Sequence, residues 1–141
     1  VGVIGFCSGG RHTYLAAATL SHIDAAIDCW GGGVIVDDRA MITEKRPTPP
    51  IELSANITAP LLGLFGNEDA SPTADQVNRT EEILKQLGKS YEFYRYENAG
   101  HAFLCSDRPQ YRQEPAVDGW KRIFAFLATH LSSTAPASVG A

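Results

Sequence analysis

Three residues of this chain have the side chains and the surroundings for acyl transfer: Cys7, Asp69 and His101. Cys7 stands in Gly5-Phe6-Cys7-Ser8-Gly9, directly after the apolar run Val1-Gly2-Val3-Ile4-Gly5-Phe6. A nucleophile on a sharp strand-to-helix turn needs small residues two positions away on either side, because a Cβ there would collide with the strand or the helix. Gly5 and Gly9 occupy those positions. The same turn aims the Ser8 and Gly9 amides toward a developing oxyanion at a helix N-terminus, whose partial positive charge favours a thiolate. Ser8 is therefore the expected oxyanion-hole residue. His101 is the candidate base for the thiol proton and the later acid for a leaving oxygen, with Asp69 orienting its ring.

The elements that must position these groups follow from hydrophobic pattern. Val1 to Phe6, Ala25 to Trp30 and Pro60 to Gly66 are short apolar runs closed by glycine-rich or polar turns, as in buried parallel strands. Tyr91 to Tyr96 is aromatic and alternating, which predicts a fourth strand at a sheet edge. Between them lie an Ala-rich helical stretch around Tyr14 to Leu20 and an amphipathic stretch from Thr73 to Leu87. Gly88 stands where a helix C-cap belongs, and a broad apolar stripe from Ala116 to Leu131 predicts a last helix. The segment from Val34 to Asn56 is rich in prolines and charges and predicts little regular structure beyond a short helix near residues 37 to 44. The low-complexity stretch 132–141 reads as a disordered tail. Alternating strands and helices call for a parallel sheet with helices on both faces, and functional groups then gather at the strands' carboxyl ends. Cys7, Asp69 and His101 each follow a strand.

Competing assignments exist for each residue. Glu68 and Asp75 are alternative acids, but Asp75 suits the first turn of the following helix and Glu68 alternates to the opposite side of the strand end. His12 falls on a helix face turned away from the thiol, while His22 and His130 lie at helix ends, where an imidazolium complements the dipole. Cys29, inside a strand, reads as a small buried hydrophobe. Trp30 and Phe103, after the second and fourth strands, are the candidate aromatic contacts to substrate.

Composition bounds the function classes. The chain has 141 residues, 44% of them hydrophobic and 20% charged, which suits one globular domain with a real core. A net charge of −4 with scattered Lys and Arg excludes a nucleic-acid or anionic-membrane footprint and favours a small-molecule partner. No apolar run approaches the ~20 residues of a membrane span. The 3 cysteines include no C-x-x-C pair, so a disulfide framework and a zinc knuckle are both disfavoured and a reducing, cytoplasmic setting is expected. The chain opens without Met directly into an apolar strand, which reads as the continuation of a longer domain.

The order nucleophile, acid, histidine is that of α/β-hydrolases and differs from the two unrelated serine-protease orders. With it, Gly-Phe-Cys-Ser-Gly-Gly-Arg at residues 5–11, Cys-Trp-Gly-Gly-Gly at 29–33, Gly-Asn-Glu-Asp at 66–69 and Ala-Gly-His-Ala-Phe at 99–103 resemble the dienelactone hydrolase family over residues 1–131. The resemblance implies the C-terminal half of an α/β-hydrolase fold, with about four parallel strands. It implies hydrolysis of a small ester or lactone through Cys7, Asp69 and His101 without metal or organic cofactor. Two other functional expectations stand beside it. One is a thioesterase or peptidase using the same triad. The other is a non-catalytic interaction module that self-associates through an exposed first strand, since that strand normally has a neighbour on each side.

Overall fold

The computed structural model describes residues 1–132, which form a parallel four-stranded sheet in the order β1-β2-β3-β4. The strands are β1 (Gly2–Phe6), β2 (Ala25–Cys29), β3 (Leu61–Gly66) and β4 (Tyr91–Tyr96). Helix α1 (Ser8–Thr19) links β1 to β2, α2 (Ala74–Gln86) links β3 to β4, and α3 (Gln113–Leu131) follows β4. Two 3-10 segments, Arg39–Met41 and Pro50–Asn56, lie in the β2–β3 connection. In register, Phe6 pairs with Cys29, so β1 and β2 end level, while Cys29 pairs with Leu64 and β3 runs on past them to Gly66.

Strand periodicity assigns the two faces. Ala25, Ile27, Cys29, Leu62 and Leu64 point to one side, where they pack with Ala116, Ile123 and Phe126 of α3 and with Phe103. Ala26 and Leu61 point to the other, against Tyr14, Ala17 and Ala18 of α1 and Leu84 of α2. Consecutive crossovers of one hand that advance in one direction must place their helices on one face. The opposite face is left to α3, which can reach it because it is not a crossover. Both central strands are buried throughout, as their unbroken apolar text requires.

Local sequence explains the helix boundaries. Thr73 and Gln76 make a capping box at the start of α2, with Gln76 N–H donating to Thr73 Oγ1 at 3.2 Å and Thr73 N–H to Gln76 Oε1 at 3.1 Å. Gly88, at φ +65°, ends that helix. The helix expected near residues 37 to 44 is reduced to the single turn Arg39–Met41, capped by Asp38. The more regular segment begins instead at Pro50, because proline at the first helical position loses no hydrogen bond. α1 begins at Ser8, ahead of the Ala-rich stretch, despite Gly9 and Gly10.

β4 is one edge of the sheet, as its alternating text predicts, and β1 is the other, with Ile4 and Phe6 exposed. Among the described residues no helix is long and apolar enough to cross a membrane. The expected tail at 132–141 lies, apart from Ser132, outside the described residues.

Candidate active site

Cys7 is the single residue between β1 and α1, and its backbone is in the left-handed region at φ 58°, ψ −122°. That conformation is costly for a residue with a Cβ and is held by its surroundings. The Cys7 N–H donates to the Cys29 carbonyl at 3.0 Å, and the Cys7 carbonyl accepts from Gly10 N–H at 2.9 Å. The thiol is exposed. Ser8 and Gly9 are the first residues of α1, so their N–H groups have no acceptor within the helix and face the space before it.

The turn depends on Gly5 for a steric reason: a Cβ there would lie 2.0 Å from the Gly9 carbonyl oxygen and 2.7 Å from Thr13 Oγ1. The expectation for Gly9 is corrected, since a Cβ there meets nothing within 4 Å. Its crowded partner is Gly10, where a Cβ would lie 2.3 Å from Asp28 Oδ1.

Asp69 and His101 meet at the carboxyl ends of β3 and β4. Asp69 Oδ2 accepts from His101 Nδ1 at 2.9 Å and its Oδ1 accepts from Ser71 N–H at 2.8 Å, so both oxygens of this carboxylate, whose side chain is 2% exposed, are engaged. Nδ1 therefore carries the hydrogen and Nε2 has a free lone pair. The ring is 39% exposed and rests on the edge of Trp30, with centroids 6.3 Å apart. Two more strained residues flank it, Trp30 at φ 44° and Ala102 at φ 64°.

Cys7, Ser8, Asp69 and His101 line one open cleft of about 640 Å³, together with Arg11 and Glu68. The structure thus brings together four of the six expected site residues. Trp30 and Phe103 are not among the lining residues: they are 1% and 0% exposed, with centroids 5.2 Å apart. The expectation of direct substrate contact is corrected for both, because they fill the core beneath the cleft, where Trp30 supports the His101 ring and Phe103 packs on Trp30. Asp75 pairs with Arg79 in the first turn of α2. His12 is exposed on α1 and takes a hydrogen bond from Arg11, His22 lies in the turn after α1, and His130 packs on Phe126 in the last turn of α3.

Two residues around the thiol turn escaped sequence reasoning. Asp28 is buried inside β2, where its Oδ1 accepts from Gly31 N–H at 2.8 Å and is wedged against Gly10. Burial pushes its carboxyl up to about 7, against the opposing pull of the Gly31 hydrogen bond. An acidic residue inside an apolar strand next to three glycines was the legible signal. Arg11, the last residue of the Gly-Phe-Cys-Ser-Gly-Gly-Arg motif, is a buried cation in the cleft wall.

Comparison with known proteins agrees with this fold. The description of the dienelactone hydrolase family matches residues 1–131. A candidate carboxymethylenebutenolidase from Methylorubrum extorquens is 40% identical over 123 residues, which is 87% of this chain and 40% of that protein. The crystal structure of a candidate dienelactone hydrolase from Klebsiella pneumoniae matches with a TM-score of 0.82 at 35% identity, covering 90% of this chain and 51% of that one. An acylaminoacyl peptidase from Pyrococcus horikoshii, at 20% identity and a TM-score of 0.76, shares the fold alone. The chain spans about half the length, or less, of the curated relatives it matches. By sequence match and by fold, this chain belongs to the dienelactone hydrolase family and has an α/β-hydrolase fold.

Proposed function

We propose that the protein hydrolyses carboxylic esters or lactones through an acyl-enzyme on Cys7. The observation that carries this reading is the 2.9 Å bond from His101 Nδ1 to Asp69, on a cleft shared with an exposed thiol at a helix N-terminus. Cys7 Sγ adds to the ester carbonyl carbon as the thiol proton passes to His101 Nε2. The carbonyl π pair becomes an oxyanion, which the Ser8 and Gly9 N–H groups receive. The carbonyl re-forms as the bond to the leaving oxygen breaks, and that oxygen takes the proton from His101. Water, deprotonated by the same nitrogen, then adds to the thioester, and the C–S bond breaks as the proton on His101 passes to sulfur, which releases the acid and restores the thiol. In a lactone the leaving oxygen stays tethered to the acyl group as a hydroxyl. Asp69 holds the ring in one tautomer and stabilises the imidazolium between the steps.

The names of the relatives support an enol lactone or small ester as substrate, and the 3 free cysteines support a cytoplasmic setting. The test is the rate of hydrolysis of p-nitrophenyl acetate and of an enol lactone by the protein and its Cys7→Ala variant. The variant is expected to lose roughly 10⁴-fold or more in kcat/KM. Unchanged hydrolysis would refute the reading.

The free edge of β1, with Ile4 and Phe6 exposed beside it, supports self-association through strand pairing. Light scattering tests this: a molar mass that rises with concentration is expected, and a constant monomer mass rules it out.

A further inference from the structure

Asp28 is a buried carboxyl that the hydrolysis itself does not use, and it stands where the parts of the site meet. Its Oδ1 accepts the Gly31 N–H at 2.8 Å, which closes a turn over Cys29 and Trp30. Each residue of that turn touches an arm of the site. The Cys29 carbonyl accepts the Cys7 N–H at 3.0 Å. Trp30, held at φ 44°, supports the His101 ring. Gly31 lies against the first turn of α1, so closely that a Cβ on it would be 2.5 Å from the Arg11 backbone nitrogen and 2.7 Å from the Gly10 carbonyl carbon. Gly32 lies against Ser71, whose N–H holds Asp69, and a Cβ there would be 2.4 Å from Ser71 Oγ and 2.9 Å from its carbonyl oxygen.

Among the described residues Asp28 is in no ion pair, so no cation offsets its burial, which is unfavourable for a carboxyl. What the side chain constrains is the turn. Positive φ at Trp30 is a conformation that a residue with a Cβ leaves when released, and the bond from Gly31 to Asp28 spans it. The same Oδ1 is wedged between the two glycine backbones, since a Cβ at Gly10 would come within 2.3 Å of it and one at Gly31 within 2.4 Å. One oxygen therefore fixes the turn at 29–32 and seats it against the helix that begins after Cys7. The far side of the turn is seated against the loop of Asp69, through Gly32 and Ser71. Catalysis between two such arms is sensitive to their spacing, because displacements near 1 Å cost about 10²-fold in rate.

We propose that Asp28 is a positioning residue: by holding the Gly31 amide it locks the 29–32 turn and so sets Cys7 in register with the Asp69 and His101 pair across the cleft. The catalytic part of this rests on the hydrolase reading. Asp28 touches neither substrate nor the reacting atoms, and acts through the Cys29 carbonyl, the Trp30 ring and the backbone of Gly31 and Gly32.

The test compares the parent with Asp28→Ala, which leaves the Gly31 N–H without its acceptor, and with Asp28→Asn, which keeps an oxygen of the same reach. If the alanine protein does not fold, Asp28→Val takes its place, filling the strand position without an acceptor. Amide hydrogen exchange, resolved by residue with NMR, examines the lock without turnover. In Asp28→Ala the amides of Cys7, Gly10 and Ser71 are expected to exchange about tenfold faster or more, and in Asp28→Asn at the parent rate. In a second arm, with each protein well below its melting midpoint, kcat for p-nitrophenyl acetate is expected to fall about tenfold or more in Asp28→Ala while KM stays within about twofold. The asparagine variant is expected to keep the parent kcat. Faster exchange confined to Gly31, parent kcat in Asp28→Ala, or an equal loss in Asp28→Asn overturns the proposal. Failure of the parent to hydrolyse the ester would instead count against the hydrolase reading, and exchange alone then decides whether Asp28 locks the two arms.

Discussion

Asp69 and His101, 32 residues apart in sequence, are joined by a 2.9 Å hydrogen bond from Nδ1 to Oδ2, while the other oxygen of the same carboxylate holds the Ser71 amide at 2.8 Å. The consequence is tautomer control. In Asp69→Asn the amide oxygen keeps the Ser71 bond, so the new NH₂ group faces Nδ1 and forces the hydrogen onto Nε2, the nitrogen that the proposed mechanism uses as base. Ester hydrolysis should fall by about 10⁴-fold in kcat with little change in thermal midpoint, measured by steady-state kinetics beside a melting curve. Retained activity would show that the pair does not orient the ring.

The two glycines around the elbow should separate. Gly5→Ala places a Cβ 2.0 Å from the Gly9 carbonyl oxygen, and because that neighbour is backbone the turn itself must shift. A loss of stability of about 1–3 kcal/mol or more is expected. Gly9→Ala meets nothing within 4 Å and should leave the urea midpoint unchanged or raise it slightly.

Asp28 predicts a pH dependence of stability. Its carboxyl ordinarily titrates at 3.8 and is pushed up to about 7 by burial, so between these values the folded state holds a proton that the unfolded state has released. Stability contributed by the neutral carboxyl is complete below pH 3.8 and is lost as pH rises to about 7, by an amount on the order of a few kcal/mol. Asp28→Asn keeps an oxygen for the Gly31 N–H and removes the titration. Urea unfolding at pH 4 to 8 should show the variant gaining on the parent as pH rises; parallel profiles would contradict this.

Thiol reactivity should be graded. Cys29 is fully buried, and burial, with Asp28 beside it, pushes its thiol above the ordinary range, whereas Cys7 is exposed. Iodoacetamide followed by peptide mapping should modify Cys7 in the native protein and Cys29 only after unfolding.

The fold was largely legible because its signals are local. The apolar run at Leu61–Gly66 reads as a buried strand because it is short and closed by glycine, and the Thr73 to Gly88 stretch carries its own start and stop chemistry. The grouping of Cys7, Asp69 and His101 in one cleft was legible because each follows a strand. What escaped depends on packing across elements. Phe103 follows a site residue in sequence, as a pocket-lining aromatic would, yet it turns inward because the α3 face of the sheet needs a large side chain there. Gly9 looks like the glycine the elbow requires, but the crowding falls on Gly10, and only the position of Asp28 on the neighbouring strand reveals it. Arg11 carries no periodic signal; its burial beside Arg46 depends on how the β2–β3 connection folds back over α1.

The central claim, that Cys7 carries the acyl group, is tested most directly by quenching the reaction with p-nitrophenyl acetate in acid and mapping the adduct by mass spectrometry. The account predicts one acetyl group, on Cys7, that disappears on standing before the quench and never forms in Cys7→Ala. A stable adduct elsewhere, or hydrolysis by Cys7→Ala at the parent rate, would contradict it.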